Sequence, residues 1–513
     1  MRSYVVYILA LITGGIGVFA YSPFDIWIIA YISLCGLIWI AKNPHKKTAL
    51  IGSFFWGLAY FSIGINWLNV SIHQFGGTPI FISYALVILL SAYLSLYPLL
   101  FTYIIQKFKI NNLALIPSVW IITEYLRGTI FTGFPWLQFG YTQIDSPFNG
   151  IAPIFGVEGL TFFTVWVSAV LLQLCTSIIS NPKTHPIILT HIVILFLVVT
   201  SAYFSSSIKF TEENQQKSTK VTLLQGNIAQ QLKWDPEYFF NTMDIYQRLI
   251  ANSLGKTDII ILPEAAFPTT ENNIQPFLTG LQEAAEKSNT EIIIGSIYHN
   301  TTTNKLFNSM INIGKQDLPY NLTTENRYIK HHLVPFGEYV PIETILRPLG
   351  NVFNLPMSNF QSGSEIQPHF LAKNFKFTPA ICYEIIFGKQ LQENITKDSD
   401  FILTLSNDAW FGDSIGPWQH LQMARMRALE LGKPVIRATN TGITAFINAQ
   451  GKIISQAPQF IETSLTHEIF TTKGKTPYSV LGNIPLYLLI VIWIIQHIIG
   501  IYVTRKLHRI NLS

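Results

Sequence analysis

Three residues whose types suit acyl transfer lie at or beside apolar, strand-like runs: Glu264 after DIIILP, Lys330 in RYIKHHLVPFGEY and Cys382 after FKFTPAI. A thiol with an ordinary pKa of ~8.5 is mostly protonated at neutral pH, so a cysteine nucleophile needs a base and a nearby cation. Glu264 has the chemistry of the base. Lys330 has that of the cation, which would also face a tetrahedral oxyanion. The other cysteines, Cys35 and Cys175, fall inside long apolar stretches, which leaves Cys382 without a plausible disulfide partner. Each residue also has an ordinary reading: an inert core cysteine, a loop or cap glutamate, a solvated edge lysine. Spacing alone does not show that the three converge. The adjacent His331 and His332 belong to no HExxH or CxxC pattern and would point to opposite faces of a strand. Neither a metal nor another cofactor is expected.

The elements that must position these residues belong to an α/β domain over residues 218–472. VTLLQGN, DIIILPE, EIIIGSI, FKFTPAIC, FILTLSND and PVIRATN read as strands bounded by turn residues. Between them, Pro276–Ser288 and His420–Gly432 have helical apolar spacing. Strands alternating with helices predict a layered sheet whose strand ends gather polar residues in one crevice.

The rest of the chain is of another kind. Charged residues make up 12% of the 513, about half the ~25% usual in soluble domains. The apolar residues concentrate in 1–206 and 482–504, so residues 1–217 and 473–513 are expected to be membrane segments flanking the soluble domain. A span needs ~20 apolar residues. Eight candidates are Tyr4–Ala20, Ile26–Ile40, Ala49–Leu68, Pro79–Ile105, Leu113–Leu126, Leu160–Ile179, Pro186–Phe204 and Ile484–Val503, the second and fifth being short. With the N-terminus inside, Arg2, Lys42, Lys46, Lys47, Lys107, Lys109, Lys183, Arg505, Lys506 and Arg509 are all cytoplasmic, and of the basic residues in short loops only Arg127 falls outside. This asymmetry predicts cytoplasmic termini and an extracytoplasmic catalytic domain. A formal net charge of +5, with scattered Lys and Arg, gives no reason to expect nucleic acid.

Longer words surround the candidate residues. PEAAFP at Glu264, YIKHHLVPFGEYVP at Lys330 and CYE at Cys382–Glu384 resemble the nitrilase superfamily, whose members use a Glu–Lys–Cys triad. QGNIAQQLKW, TGFPWLQFGYTQID and SNDAWFGDSIGPWQHLQMARMRALELGKPVIRATNTG, together with the spans, are similar to its membrane-embedded branch, the apolipoprotein N-acyltransferases of the bacterial inner membrane. The likeness runs from the first spans to the last helix. It implies an αββα sandwich facing the periplasm on an α-helical membrane bundle. It also implies ping-pong transfer of an acyl chain from a phospholipid, through a thioester on Cys382, to the N-terminal diacylglyceryl-cysteine of apolipoproteins. By matching position, Glu264 is implied as base, Lys330 as oxyanion stabiliser and Cys382 as nucleophile. Glu338 and Glu384 are implied as supporting acids, with Tyr383, Trp234 and Trp410 near the site and the two tryptophans binding substrate.

The membrane part suits that chemistry, since exposing a long acyl chain to water costs ~0.8 kcal/mol per CH₂. FTGFPWLQFGY is expected either in an aromatic belt at the interface or at a lipid entrance, and Glu124 and Arg127 as a structural i,i+3 pair. Two other classes compete. A tethered amidase would share the triad without needing eight spans. A transporter or scaffold would leave the filled triad unexplained and would call for ionisable residues deep in the spans.

Overall fold

A computed structural model describes residues 2–180, 185–340 and 359–510. The chain divides into two compact units, one comprising Met1–Asn66, Leu86–Lys209 and Val480–Ser513, the other Trp67–Ala85 and Phe210–Ser479.

The first unit is built of helices. Along the whole chain, Ser3–Ala20, Ile80–Phe108, Asn149–Ile179 and Ile188–Ser206 are long and apolar enough to cross a membrane, and Lys46–Gly64 qualifies when joined to Leu68–Phe75, which the division assigns to the second unit, across a break. Ile28–Ala41 and Ile484–Gly500 are apolar but shorter. The expected span Leu113–Leu126 is realised as a helix of 13 residues, Leu115–Arg127. At 1.5 Å per residue it reaches only ~20 Å of the ~30 Å a span requires. Four or five helices among the described residues thus meet the length and composition of a span, where eight segments were expected.

Trp136, Leu137, Phe139 and Tyr141 are buried inside this unit, while Phe131 is 73% exposed. Arg127 explains the burial. It pairs with Glu124 at 2.5 Å, as expected for the i,i+3 pair, and donates to the carbonyls of Phe134 and Trp136 at 2.5 and 2.6 Å. The hydroxyls of Tyr21 and Tyr60 both donate to the Leu137 carbonyl at 2.8 Å. An irregular backbone inside an apolar bundle needs such partners for its carbonyls.

The second unit holds two six-stranded sheets. In the first, the order is β12 (Thr463–Gly474), β1 (Thr211–Gln225), β2 (Ile259–Ile261), β3 (Glu291–Asn300), β4 (Lys305–Ile313), β5 (Arg327–Ile329). In the second it is β11 (Ile453–Gln456), β10 (Ala445–Ile447), β9 (Val435–Thr439), β8 (Phe401–Ser406), β7 (Phe375–Ile381), β6 (Phe370–Ala372). β1, β2 and β3 are parallel, as are β7, β8 and β9. The two-residue period of a strand then sorts the side chains. Ile259, Ile261 and Ile293 join Phe377, Leu403, Leu405 and Ile436 in a core between the sheets. Ile260, Leu262, Ile292 and Ile294 face the other way, onto helices Phe239–Ser253 and Gln275–Lys287. This is the αββα sandwich. Burial on both faces explains why β2 reads as an unbroken apolar run.

Candidate active site

Each of the three chemistry-bearing residues stands just beyond a strand. Glu264 follows β2 by three residues and Lys330 follows β5 directly. Cys382 opens a short 3₁₀ turn, Cys382–Ile386, at the end of β7 with φ at 52°. The left-handed region is unfavourable for a residue with a Cβ, by roughly 1–2 kcal/mol, so surrounding contacts must hold it.

The sandwich brings Glu264, Lys330 and Glu338 together. The Lys330 ammonium, 1% exposed, lies 2.9 Å from Glu338 and 3.3 Å from Glu264. Asn308 on β4 donates through Nδ2 to both carboxylates, at 2.7 Å to Glu264 and 2.8 Å to Glu338. The second oxygen of Glu264 accepts from the Asn407 backbone N–H at 2.9 Å, and that of Glu338 from Val334 N–H at 2.8 Å. Gly295 on β3 makes room for the Glu264 turn, since a Cβ there would stand 2.4 Å from the Pro263 carbonyl and 2.7 Å from Glu264 Cα. Burial opposes the charge of Lys330, yet Glu338 and Glu264 outweigh it and push the ammonium above the ordinary lysine range.

Cys382 lies in the field of the same groups. Burial first, then Glu264, push its thiol well above the ordinary range, and Lys330 only partly offsets them. The resting side chain is therefore held toward the neutral thiol. Lys233, which sequence reasoning passed over, is 2% exposed and donates to the Glu264 carbonyl at 3.2 Å. Burial lowers its ammonium from 10.5 to about 8, partly resisted by Glu264 and Cys382.

Glu384 takes a different position from Glu338. Fully buried, it accepts from Ile381 N–H (2.7 Å), His331 N–H (2.8 Å), His332 N–H (3.1 Å), the Tyr328 hydroxyl (3.0 Å) and Gln390 Nε2 (2.9 Å). It ties the chain just after Lys330 to the chain just before Cys382. Tyr383 packs its ring against His332 and Phe387, at centroid distances of 5.8 and 5.1 Å. Trp234 sits among Ala265, Leu333, Phe360 and Tyr339, flanking the Glu264 turn. Trp410 meets the ring of Phe75 at 5.7 Å, and its carbonyl accepts from Ser71 at 2.7 Å. The two histidines considered for metal are engaged elsewhere: His331 Nδ1 donates to the Gly363 carbonyl at 2.8 Å and His332 stacks on Phe387.

Asn308, Asn407 and Lys233 carried no sequence signal of their own. An asparagine is marked as functional only by the carboxylates it meets across strands, which periodicity does not disclose.

Among families of known proteins, residues 13–170 match the apolipoprotein N-acyltransferase N-terminal domain and residues 220–473 match carbon-nitrogen hydrolase. A protein of Haemophilus influenzae called apolipoprotein N-acyltransferase is 59% identical over 508 residues, covering 99% of this chain and 97% of that protein. One of the same name from Pasteurella multocida is 58% identical, covering 98% and 96%. Among solved structures, the CN-hydrolase superfamily protein XC1258 of Xanthomonas campestris is similar, with 19% identity and a TM-score of 0.37, covering 49% of this chain and 90% of that one.

Proposed function

Because the chain belongs to the apolipoprotein N-acyltransferase family, we propose that it moves an acyl chain from a membrane phospholipid, through a thioester on Cys382, to the α-amino group of an apolipoprotein's N-terminal diacylglyceryl-cysteine. The observation that carries the residue assignment is the Lys330 ammonium held between Glu264 and Glu338, with its charge and that of Glu264 acting on the Cys382 thiol.

In the first half-reaction Sγ attacks the ester carbonyl while its proton passes to Glu264. Lys330 faces the oxyanion that develops. Collapse breaks the ester C–O bond, and Glu264 returns the proton to the departing oxygen of the lysophospholipid. In the second, the neutral amine attacks the thioester, Glu264 takes the excess proton, and the sulfur leaves and recovers it. An α-amino group of reference pKa ~8 supplies a useful neutral fraction near neutrality. Glu338 holds Lys330, and Glu384 is a clasp between two segments rather than a participant. Trp234 and Trp410 line the approach for substrate. The soluble unit faces the periplasm and both termini face the cytoplasm, in keeping with the charge asymmetry of the loops.

Intact-protein mass after incubation with phospholipid and no acceptor tests this reading. A hydroxylamine-labile acyl adduct is expected on the wild type and not on folded Cys382→Ala, and a diacylglyceryl-cysteine peptide should discharge it. Acyl transfer by Cys382→Ala would remove the nucleophile assignment. Rapid clearance of the adduct by water would favour an amidase-like hydrolase.

A further inference from the structure

Behind the Cys382 turn lies a second buried cluster that the mechanism above does not use. Asp408, His420, Arg437 and Ser406 are each at most 1% exposed. Asp408 accepts from Arg437 Nη2 at 2.6 Å and from the Ser406 hydroxyl at 2.6 Å. His420 Nδ1 lies 3.0 Å from Asp408 and 3.1 Å from Arg437 Nη2. Its Nε2 lies 3.1 Å from the backbone carbonyl of Cys382. A carbonyl can only accept, so Nε2 carries the proton and donates.

An Asp–His pair beside a cysteine invites comparison with a Cys–His–Asp triad. The geometry is of another kind, because the imidazole proton is spent on the main chain of Cys382 and not on its sulfur. Cys382 is also the residue whose left-handed φ of 52° needs support. The cluster therefore holds the Cys382 turn at its carbonyl. The imidazole is enclosed on another side by Phe411, edge-on at 5.9 Å, which in turn meets Trp67 at 4.6 Å. Trp67 Nε1 donates to the side chain of Gln419, the neighbour of His420, at 3.2 Å.

We propose that His420, fixed by Asp408 and Arg437, is a positioning residue that locks the Cys382 turn in its reactive geometry by donating to the Cys382 carbonyl. Its action on acyl transfer rests on Cys382 being the nucleophile. The lock itself does not.

The test compares His420→Gln, whose amide keeps a donor, with His420→Leu, which fills the volume without one. His420→Asn, too short to reach the carbonyl, replaces His420→Leu should that variant fail to fold. Purified protein in detergent is first checked by melting. Displacing a reacting group by about 1 Å costs on the order of 10²-fold in rate. A loss of that size in single-turnover acylation is expected for His420→Leu with an unchanged half-saturating phospholipid concentration, and His420→Gln should recover most of it. A wild-type rate in the folded donorless variant overturns the proposal. So does a His420→Gln variant as slow as His420→Leu, since that would make the imidazole an acid–base group. Alkylation of Cys382 by iodoacetamide is followed in parallel. If wild type forms no acyl adduct, the function reading fails, while unequal alkylation of the two variants still supports the lock and equal alkylation at the wild-type rate still overturns it.

Discussion

At the scale of single residues, the site is governed by which charges burial tolerates. Cys382 rests as a thiol because burial and Glu264 oppose a thiolate more than Lys330 favours it. In the proposed mechanism, deprotonation is thus coupled to attack instead of preceding it. Iodoacetamide alkylation of Cys382 should accordingly be slow at pH 7 and keep rising through pH 9, since the raised pKa leaves the thiolate fraction growing across that whole range. A rate that levels off near neutrality would mean a preformed thiolate. Lys233 gives a second pH signature, of stability. Its ammonium falls from 10.5 to about 8 on folding. Between these values the unfolded chain holds a proton that the folded chain has lost, so stability rises with pH there. Below about 8 the full penalty of roughly 3 kcal/mol applies. Lys233→Met should therefore melt higher than wild type at pH 7, with the gain shrinking as pH approaches 10.5. A gain that grows with pH would contradict the burial argument.

At the scale of elements, the site depends on how closely strands and turns approach one another. β3 can run against the Glu264 turn only because residue 295 lacks a Cβ. The obstructing atoms are main chain, which cannot swing aside as a side chain would. Gly295→Ala should displace the Glu264 carboxylate and lower the single-turnover acylation rate by about 10²-fold while the protein still folds. An unchanged rate would show that the turn relaxes without moving Glu264. The Glu384 clasp works at the same scale, joining the chain after β5 to the end of β7 through N–H donors of His331, His332 and Ile381. Six of the twelve strands were legible from apolar runs bounded by turns. The others escaped for identifiable reasons. β11 lies mostly exposed and β12 alternates half-buried and exposed residues, so neither carries an apolar run. β5, β6 and β10 are three residues each, and in β4 (KLFNSMINI) polar Asn308, Ser309 and Asn312 break up the apolar run.

At the scale of the molecule, the proposed lipid donor and lipid-anchored acceptor both call for an enzyme resident in the membrane, and the apolar helices suit one. The orientation can be read directly. In intact spheroplasts a membrane-impermeant maleimide should label Thr302→Cys, in an exposed loop of the soluble unit, and spare Lys47→Cys until the membrane is opened. The reverse pattern would invert the topology. Span number was less legible than span existence. Apolar composition marked Leu113–Leu126 as a crossing; the helix found there, Leu115–Arg127, is shorter than a full span and carries the buried Glu124–Arg127 pair at its end.

The sequence by itself determined the features that are local: apolar runs, turn residues, loop charge, and the contiguous words around Glu264, Lys330 and Cys382. These are properties of neighbours along the chain, and they suffice for the family, the sandwich and the candidate triad. What only the tertiary structure decided is relational. Glu264 and Glu338 lie 74 residues apart in number but share Asn308 and Lys330, because β2 and β5 belong to one sheet with β3 and β4 between them. His420 meets the Cys382 carbonyl from a helix 38 residues away, and Arg127 holds the carbonyls of the irregular Phe134–Trp136 stretch. Such pairings are fixed by strand order, register and close packing, which make a polar side chain buried or exposed, paired or alone, whatever its neighbours in sequence.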